Sequence, residues 1–273
     1  MINHCPGKLV SVIFPIYRTP KQYLIESVNS LKIQSHRNFE CLIIDDYPEH
    51  TDPEFISKLL IEDERFIYLP RESSQKMNLA SALNYGIMRA KGAFIARFDS
   101  DDICKPNRFE NQLQFFSDNP KVDILGTSIN IIDSQSVIKS QRKFPTEDKH
   151  IKFILNFLCP ICHPSIMFRS EIISRNMQLY DENFSQSEDL ELWLRLKKAG
   201  YNFANLKDNL IDYRELNEER SRDHWLYNIK ARRKNLDLLN FSQYFVIPLL
   251  FLFAYFPSKI KVFFISFKNK LLK

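Results

Sequence analysis

Over the first 130 residues, apolar runs of strand length alternate with amphipathic stretches. "KLVSVIFPI" (8–16), "FECLIID" (39–45), "RFIYL" (65–69) and "AFIARF" (93–98) are short, nearly unbroken apolar runs. That is the pattern of strands buried on both faces. Between the first two, Leu24, Val28 and Leu31 share one face of a helix that Thr19 is placed to cap and Pro20 to open. Further helices are predicted over 53–61 and 75–90, the latter ending at Gly92, and from Pro106 to about 118. The alternation predicts βαβ units, hence an α/β fold with a mostly parallel central sheet flanked by helices. Ligands on such sheets bind beyond the carboxyl ends of the strands. Those ends here read "PIYR", "DDYP" and "FDSDD", and two of the three carry clustered acids.

From residue 121 the pattern changes. "VDILGTSINIID" predicts one or two strands, "KFPTEDKHIKFILNFL" a loop and a short helix, and "SIMF" (165–168) another strand. "SEDLELWLRLKKAG" (187–200) is helical, with Ser187 at the cap position, Leu190, Trp193 and Leu194 inward, and Gly200 as C-terminal stop. No repeat or low-complexity segment interrupts the chain. The expected organisation is a body over 1–240, with 1–130 and 131–240 as its halves, and a tail over 241–273.

The 273 residues suffice for a sizeable core, and 23 Phe against 5 Gly require many bulky side chains to be buried or to face a partner. The odd, scattered set Cys5, Cys41, Cys104, Cys159 and Cys162, with no secretory leader in "MINHCPGKLVSVIFPIY", suggests a reducing compartment. Charge is unevenly placed. Five of the 38 basic residues lie in 241–273, which holds no acid, so the 33 acidic residues of the body meet an equal number of basic ones. A nucleic-acid surface spread over the fold is therefore not expected, and the tail is expected to meet something anionic.

Asp99 and Asp101 in "RFDSDD" stand two apart at a strand end, on one side of an extended chain, with Ser100 opposite. Converging carboxylates repel unless a cation joins them. Mg²⁺ or Mn²⁺ suits such oxygen ligands and is commonly completed by substrate phosphates. Neither a P-loop nor a dinucleotide-binding fingerprint is present, so the metal is expected to hold a diphosphate. A solvated acidic turn is the plainer alternative. Glu188 and Asp189 equally suit the N-terminus of a helix without any chemistry.

These pieces occur in one order: "VSVIFPIYR", "SLKIQSHRNFECLIIDD", "ASALNYGIMRAKGAFIARFDSDDICKPNRFENQ", "HPSIMFR", "SEDLELWLRL" and "DYR". Over roughly residues 8 to 214 the chain is similar to family 2 glycosyltransferases of the GT-A fold. The resemblance implies inverting transfer of a sugar from a nucleotide diphosphate donor, most simply a UDP-sugar, to a glycan or lipid-linked acceptor. It implies donor-site roles for Pro15, Tyr17 and Asp46, the last toward the uracil ring with Asp45 as fallback. Asp99 and Asp101 match the D-x-D acids, Asp101 the better candidate for the metal, while Asp102 is expected to cap a helix. Arg97 either orders the acids or is a plain charged strand residue. Asp189 matches the general base, with Glu188 as the competing assignment. An inverting displacement needs a base opposite the leaving group and a cation on the departing diphosphate, but no covalent nucleophile. Arg214 in "DYR" is a candidate for the diphosphate or a surface residue. Tyr47-Pro48 and Asn78 depart from the family's usual Gly-Ser and Gly. A nucleotide-sugar-binding protein without turnover and a nucleotidyltransferase remain the alternatives.

In the tail, "YFVIPLLFLFAYF" (244–256) falls short of the about 20 residues that span a bilayer. In "SKIKVFFISFKNKLLK", Ile260, Phe263, Phe264, Phe267 and Leu271 share a helical face, with Lys259, Lys261, Lys268, Lys270 and Lys273 around it. A basic amphipathic helix of this kind predicts peripheral attachment to a membrane interface. A helix packed on the domain is the alternative. With the resemblance, this implies a protein on the cytoplasmic face of a bacterial cell membrane, engaged in surface polysaccharide assembly. "LCPICHPSIMF" (158–168) contains a haem-attachment spelling, C-x-x-C-H, but no export signal accompanies it and no other Cys/His pair is spaced for zinc. The segment matches "HPSIMFR", which makes His163 and Ser165 acceptor-side candidates and leaves a buried structural His163 as the alternative.

Overall fold

The computed structural model describes residues 7–61, 63–72, 77–174, 179–216, 221–236 and 241–255. The strands are β1 Val10–Ile16, β2 Phe39–Asp45, β3 Phe66–Pro70, β4 Phe94–Arg97, β5 Ile103–Cys104, β6 Ile124–Ile132, β7 Ile138–Arg142, β8 Met167–Arg169 and β9 Phe203–Arg214. The helices are α1 Lys21–Lys32, α2 Pro53–Leu60, α3 Leu79–Ile87, α4 Arg108–Asp118, α5 Asp148–Ile154, α6 Glu171–Ser174, α7 Glu188–Lys198, α8 Arg222–Lys234 and α9 Phe241–Ala254. One sheet runs β3-β2-β1-β4-β8-β6-β9-β5, with β7 paired to β6. β1 to β4 are mutually parallel, as are β6 and β9. β8 enters antiparallel between β4 and β6, so the sheet is continuous from the first half of the chain into the second.

The strand alternation divides two cores. Val10, Val12, Phe14 and Ile16 of β1 pack with α1, α2 and α4 on one face, beside Leu24, Ile56 and Phe109. Ile13, Leu42 and Ile44 point to the other face, which α3, α5, α7 and α8 cover through Leu83, Ile151, Trp193 and Ala231. Gly86 lets α3 lie close to the sheet: a Cβ there would stand 2.7 Å from Ile44 Cδ1. Gly200 ends α7 at φ +84°, the left-handed backbone that favours glycine.

Three local expectations differ from the structure. Thr19 does not cap α1; its hydroxyl meets Ser100 Oγ at 2.7 Å instead. Ser187 precedes α7 in the left-handed region (φ +58°) and makes no side-chain cap. The chain past β4 is a turn and not extended, Asp102 N donating to Asp99 O at 3.4 Å. In α9, Pro248 lies inside the helix, and Phe245, Leu249 and Leu252 are exposed. The amphipathic stretch predicted beyond 256 lies outside the described residues. Among the described residues no helix is long and apolar enough to cross a membrane.

Candidate active site

The acidic turn sits where β4 ends. Arg97, the last residue of that strand, is buried and grips Asp99 with both terminal nitrogens: Nη1 donates to Oδ2 at 2.5 Å and Nη2 pairs with Oδ1. Arg97 Nε has no partner among the described residues. Burial, and then the Asp99 charge, push the Asp101 carboxyl up to about 6. Asp102 is also raised well above the usual carboxylate range, by burial and by both neighbouring acids. It caps no helix: Oδ1 accepts the Arg214 backbone N–H at 2.8 Å, and buried Oδ2 has no partner among the described residues.

Arg214 lies neither at the surface nor on the cavity. Its side chain is 0% exposed, and Nε donates to the Asp101 carbonyl at 2.7 Å. Nη1 and Nη2 reach the Asp133 carbonyl and Glu26 Oε2, at 2.8 and 2.7 Å. The end of β9 thus pins the acidic turn to α1 and to the β6–β7 connection.

Pro15, Tyr17, Asp99, Ser100 and Asp101 line one cavity of about 300 Å³ at the carboxyl ends of β1 and β4. Asp46, at the end of β2, is not on that lining. Its Oδ1 accepts the Met77 N–H at 2.7 Å and faces Arg71 Nε at 3.7 Å. Asp45 orders its own turn, accepting from Tyr68 Oη at 2.6 Å and from the Tyr47 N–H at 2.8 Å.

The second acidic pair opens α7. Glu188 is buried, and burial followed by the Asp189 charge pushes it up to about 7, with Asp99 adding to the rise. Asp99 and Glu188 are therefore close enough for their charges to interact, although 89 residues separate them in the chain. His163 Nε2 meets Tyr180 Oη at 2.8 Å, and Nδ1 stands 3.6 Å from Glu188 Oε1. Burial, with Arg97, holds this imidazole well below its usual range, so it is neutral. Asp189 is less buried than Glu188 and lies 3.8 Å from Cys159 Sγ. Ser165 is fully buried and spends its hydroxyl on the Cys162 carbonyl and the Thr127 N–H, so it belongs to the packing of the turn into β8. Cys41, Cys104, Cys159 and Cys162 are free thiols.

Residues 11–176 match the model of the glycosyl transferase family 2, more than half of the chain. The chain is a family 2 glycosyltransferase. Residues 94–268 also match the model described as glycosyl transferase family group 2. The O-antigen biosynthesis glycosyltransferase WbnJ of Escherichia coli is 32% identical over 222 residues, 80% of this chain and 84% of that one. The putative glycosyltransferase EpsE of Bacillus subtilis is 29% identical over 264 residues, 93% and 92% of the two chains. Among solved structures, S. aureus TarS 1–349 in complex with UDP-GlcNAc superposes with a TM-score of 0.63 at 20% identity, covering 82% of this chain and 66% of that one. Against the longer TarS chain the overlap is 39% of TarS. The likeness shows a shared GT-A fold.

In this glycosyltransferase the departure at Asn78 has a structural role. Its Oδ1 accepts the Ser81 N–H at 2.9 Å as N-cap of α3, and its Nδ2 donates to the Glu182 carbonyl at 2.7 Å. Glycine provides neither bond. Family membership favours the transferase over the binding-protein and nucleotidyltransferase alternatives. Sequence reasoning missed Arg71 and Tyr180 and misplaced Arg214. Arg71 follows β3, the strand next to the "DD" strand, and that adjacency was the available signal.

The donor set at the acidic turn fits a hard divalent cation. Among the described residues no three His, Cys, Asp or Glu side chains close a cage. A Mg²⁺-type ion needs only one or two carboxylates when phosphates supply the rest. The raised Asp101 and the unpartnered buried Asp102 oxygen mark an excess of negative charge that a cation relieves.

Proposed function

We propose that this glycosyltransferase moves a sugar, with inversion, from a UDP-sugar onto a hydroxyl of a glycan or lipid-linked acceptor, in bacterial surface polysaccharide synthesis. The observation that carries the proposal is the convergence of Pro15, Tyr17, Asp99 and Asp101 on one cavity, with Glu188 at the start of α7 close enough to feel Asp99. The names of WbnJ and of the amylovoran biosynthesis glycosyltransferase AmsE of Erwinia amylovora support the polysaccharide context. The UDP-GlcNAc complex of TarS supports the donor class.

Tyr17 offers an aromatic surface to the base; Asp46, paired with Arg71 outside the cavity lining, is the acceptor assigned to its ring N–H at the neighbouring strand end. Asp101, and Asp99 from its Arg97 grip, would hold Mg²⁺ or Mn²⁺, which when bound would stabilise the charge developing on the departing diphosphate. Asp189 takes the proton of the attacking hydroxyl. Glu188, buried against His163, is less open to an acceptor than Asp189, and with His163 and Tyr180 it shapes the acceptor end. The acceptor oxygen bonds to the anomeric carbon as the bond to the diphosphate breaks, with no enzyme-bound sugar.

The tail supports attachment to the cytoplasmic leaflet. Tyr244, Phe245, Leu249, Phe251 and Leu252 are exposed on α9, and the Lys-rich stretch follows. Each Lys near an anionic surface contributes about 1 kcal/mol.

UDP titration with Mn²⁺ and with EDTA tests the donor site; metal-independent binding removes Asp99 and Asp101 from it. Asp189→Asn is expected to abolish transfer while UDP still binds, and unchanged transfer excludes Asp189 as the base. Deleting 241–273 is expected to release the protein from anionic vesicles. A truncated protein that still sediments with them refutes the tail's role.

A further inference from the structure

Tyr47-Pro48 stands where the family usually has Gly-Ser, and a wall of aromatic rings is built on it. Pro48 opens a single 3₁₀ turn, Pro48–His50, which brings His50 against Tyr47. The two rings stack with centroids 4.2 Å apart and planes 14° apart. Tyr47 also meets Tyr17 edge-on, at 5.5 Å and 61°. Arg18 lies across both tyrosines: its guanidinium carbon is 4.5 Å from the Tyr47 centroid and 5.4 Å from that of Tyr17. Its Nη2 donates to Tyr47 Oη at 2.9 Å. Arg18 does this from a left-handed backbone, φ +53°, which residues with a Cβ disfavour. The wall stands between two cavities, the one of about 300 Å³ lined by Tyr17 and Asp101 and one of about 500 Å³ lined by Tyr47 and His50, and Arg18 lines both.

We propose that Arg18 and Tyr47 are positioning residues that brace Tyr17 as the stacking platform for the donor's nucleobase. The proposal rests on the assignment of the first cavity to the nucleotide. Tyr17 is 41% exposed, so without support its ring keeps rotamer freedom that a ligand must remove on binding. An edge contact from Tyr47 and a cation over the ring restrict it beforehand, each by an interaction that favours that geometry. A glycine at 47 supplies no ring and no hydroxyl to anchor Arg18. The brace is thus a feature of this chain and not of the family pattern.

The test is calorimetric titration of UDP in Mn²⁺ into the wild type, Tyr47→Gly, Arg18→Gly, Tyr17→Ala and the double variant Tyr17→Ala/Tyr47→Gly, with a melting temperature and donor kinetics for each. Tyr47→Gly and Arg18→Gly are each expected to weaken UDP binding about three- to tenfold. The donor KM rises in step while kcat holds. The melting temperature of Arg18→Gly stays level or rises, since glycine suits the left-handed position; a purely structural role for Arg18 predicts a fall. In the Tyr17→Ala background, Tyr47→Gly adds nothing, because the brace acts only through Tyr17. Wild-type affinity in Tyr47→Gly overturns the proposal, as does a Tyr47→Gly loss of full size in the Tyr17→Ala background. A wild-type protein that binds none of UDP, dTDP, GDP and CDP overturns the nucleotide assignment of the cavity itself, and the brace with it.

Discussion

Arg214→Met isolates the pin that holds the acidic turn. The guanidinium has no solvent exposure, and its Nη2 also reaches Ser136 Oγ at 3.1 Å while the group stands 4.0 Å over the Tyr23 ring. Methionine fills part of this volume but donates no hydrogen bond. The Asp101 and Asp133 carbonyls each lose a partner, at about 1 kcal/mol apiece. Glu26 is 27% exposed and keeps its bonds from Ser136 and Gln22, so its loss is about 1 kcal/mol. The sum is about 3 kcal/mol. In a protein of this size each kcal/mol moves the melting temperature by about 2–4 °C, which gives a drop of about 6–12 °C. The loss is accompanied by about tenfold weaker Mn²⁺-dependent UDP binding, because the Asp101 backbone is no longer fixed. Differential scanning fluorimetry and calorimetric titration measure the two effects, and Arg214→Lys, which can satisfy one or two of the acceptors, falls between. A melting temperature within about 2 °C of wild type refutes the pin, since three acceptors cannot lose a fully buried donor without cost.

Asp101→Asn is expected to lose Mn²⁺-dependent UDP binding with a level or higher melting temperature, since burial and Asp99 both oppose its charge. Asp99→Asn removes the counter-charge of Arg97, whose side chain is 5% exposed, and is expected to destabilise the fold by about 3 kcal/mol; equal melting of the two variants contradicts this split. The folded pKa of Glu188 is raised from 4.5 to about 7, so its contribution to stability is fully present below pH 4.5 and is lost as pH rises through about 7. Glu188→Gln is therefore expected to be more stable than wild type at pH 8, by about 3 kcal/mol, with the gap closing below pH 5. Denaturant melts across that range check the sign, and a constant gap excludes Glu188 as the titrating group.

What the sequence determined by itself is what depends on neighbours in the chain. The period of apolar residues placed β2 at Phe39–Asp45 and the helix opening at Glu188, because strand and helix patterns are set within a few residues. The parallel arrangement of β1 to β4 then put the acids of "DD" and "FDSDD" on one edge, so the site's location was legible before any contact was known. Tertiary structure decided what each polar group bonds. Thr19 has the chemistry of a cap, yet Ser100 stands 2.7 Å away and takes its hydroxyl. Asp102 has the chemistry of a cap too, yet the end of β9 delivers the Arg214 N–H to it from 112 residues along the chain. Arg97 was open between an ordering role and none until the burial of β4 left Asp99 as its counter-charge. The antiparallel entry of β8 between β4 and β6 carries His163 to Glu188, and no local pattern encodes that pairing. Polar partners are chosen by which groups the packed sheet leaves within hydrogen-bond reach, and that choice exists only once the strands are in register.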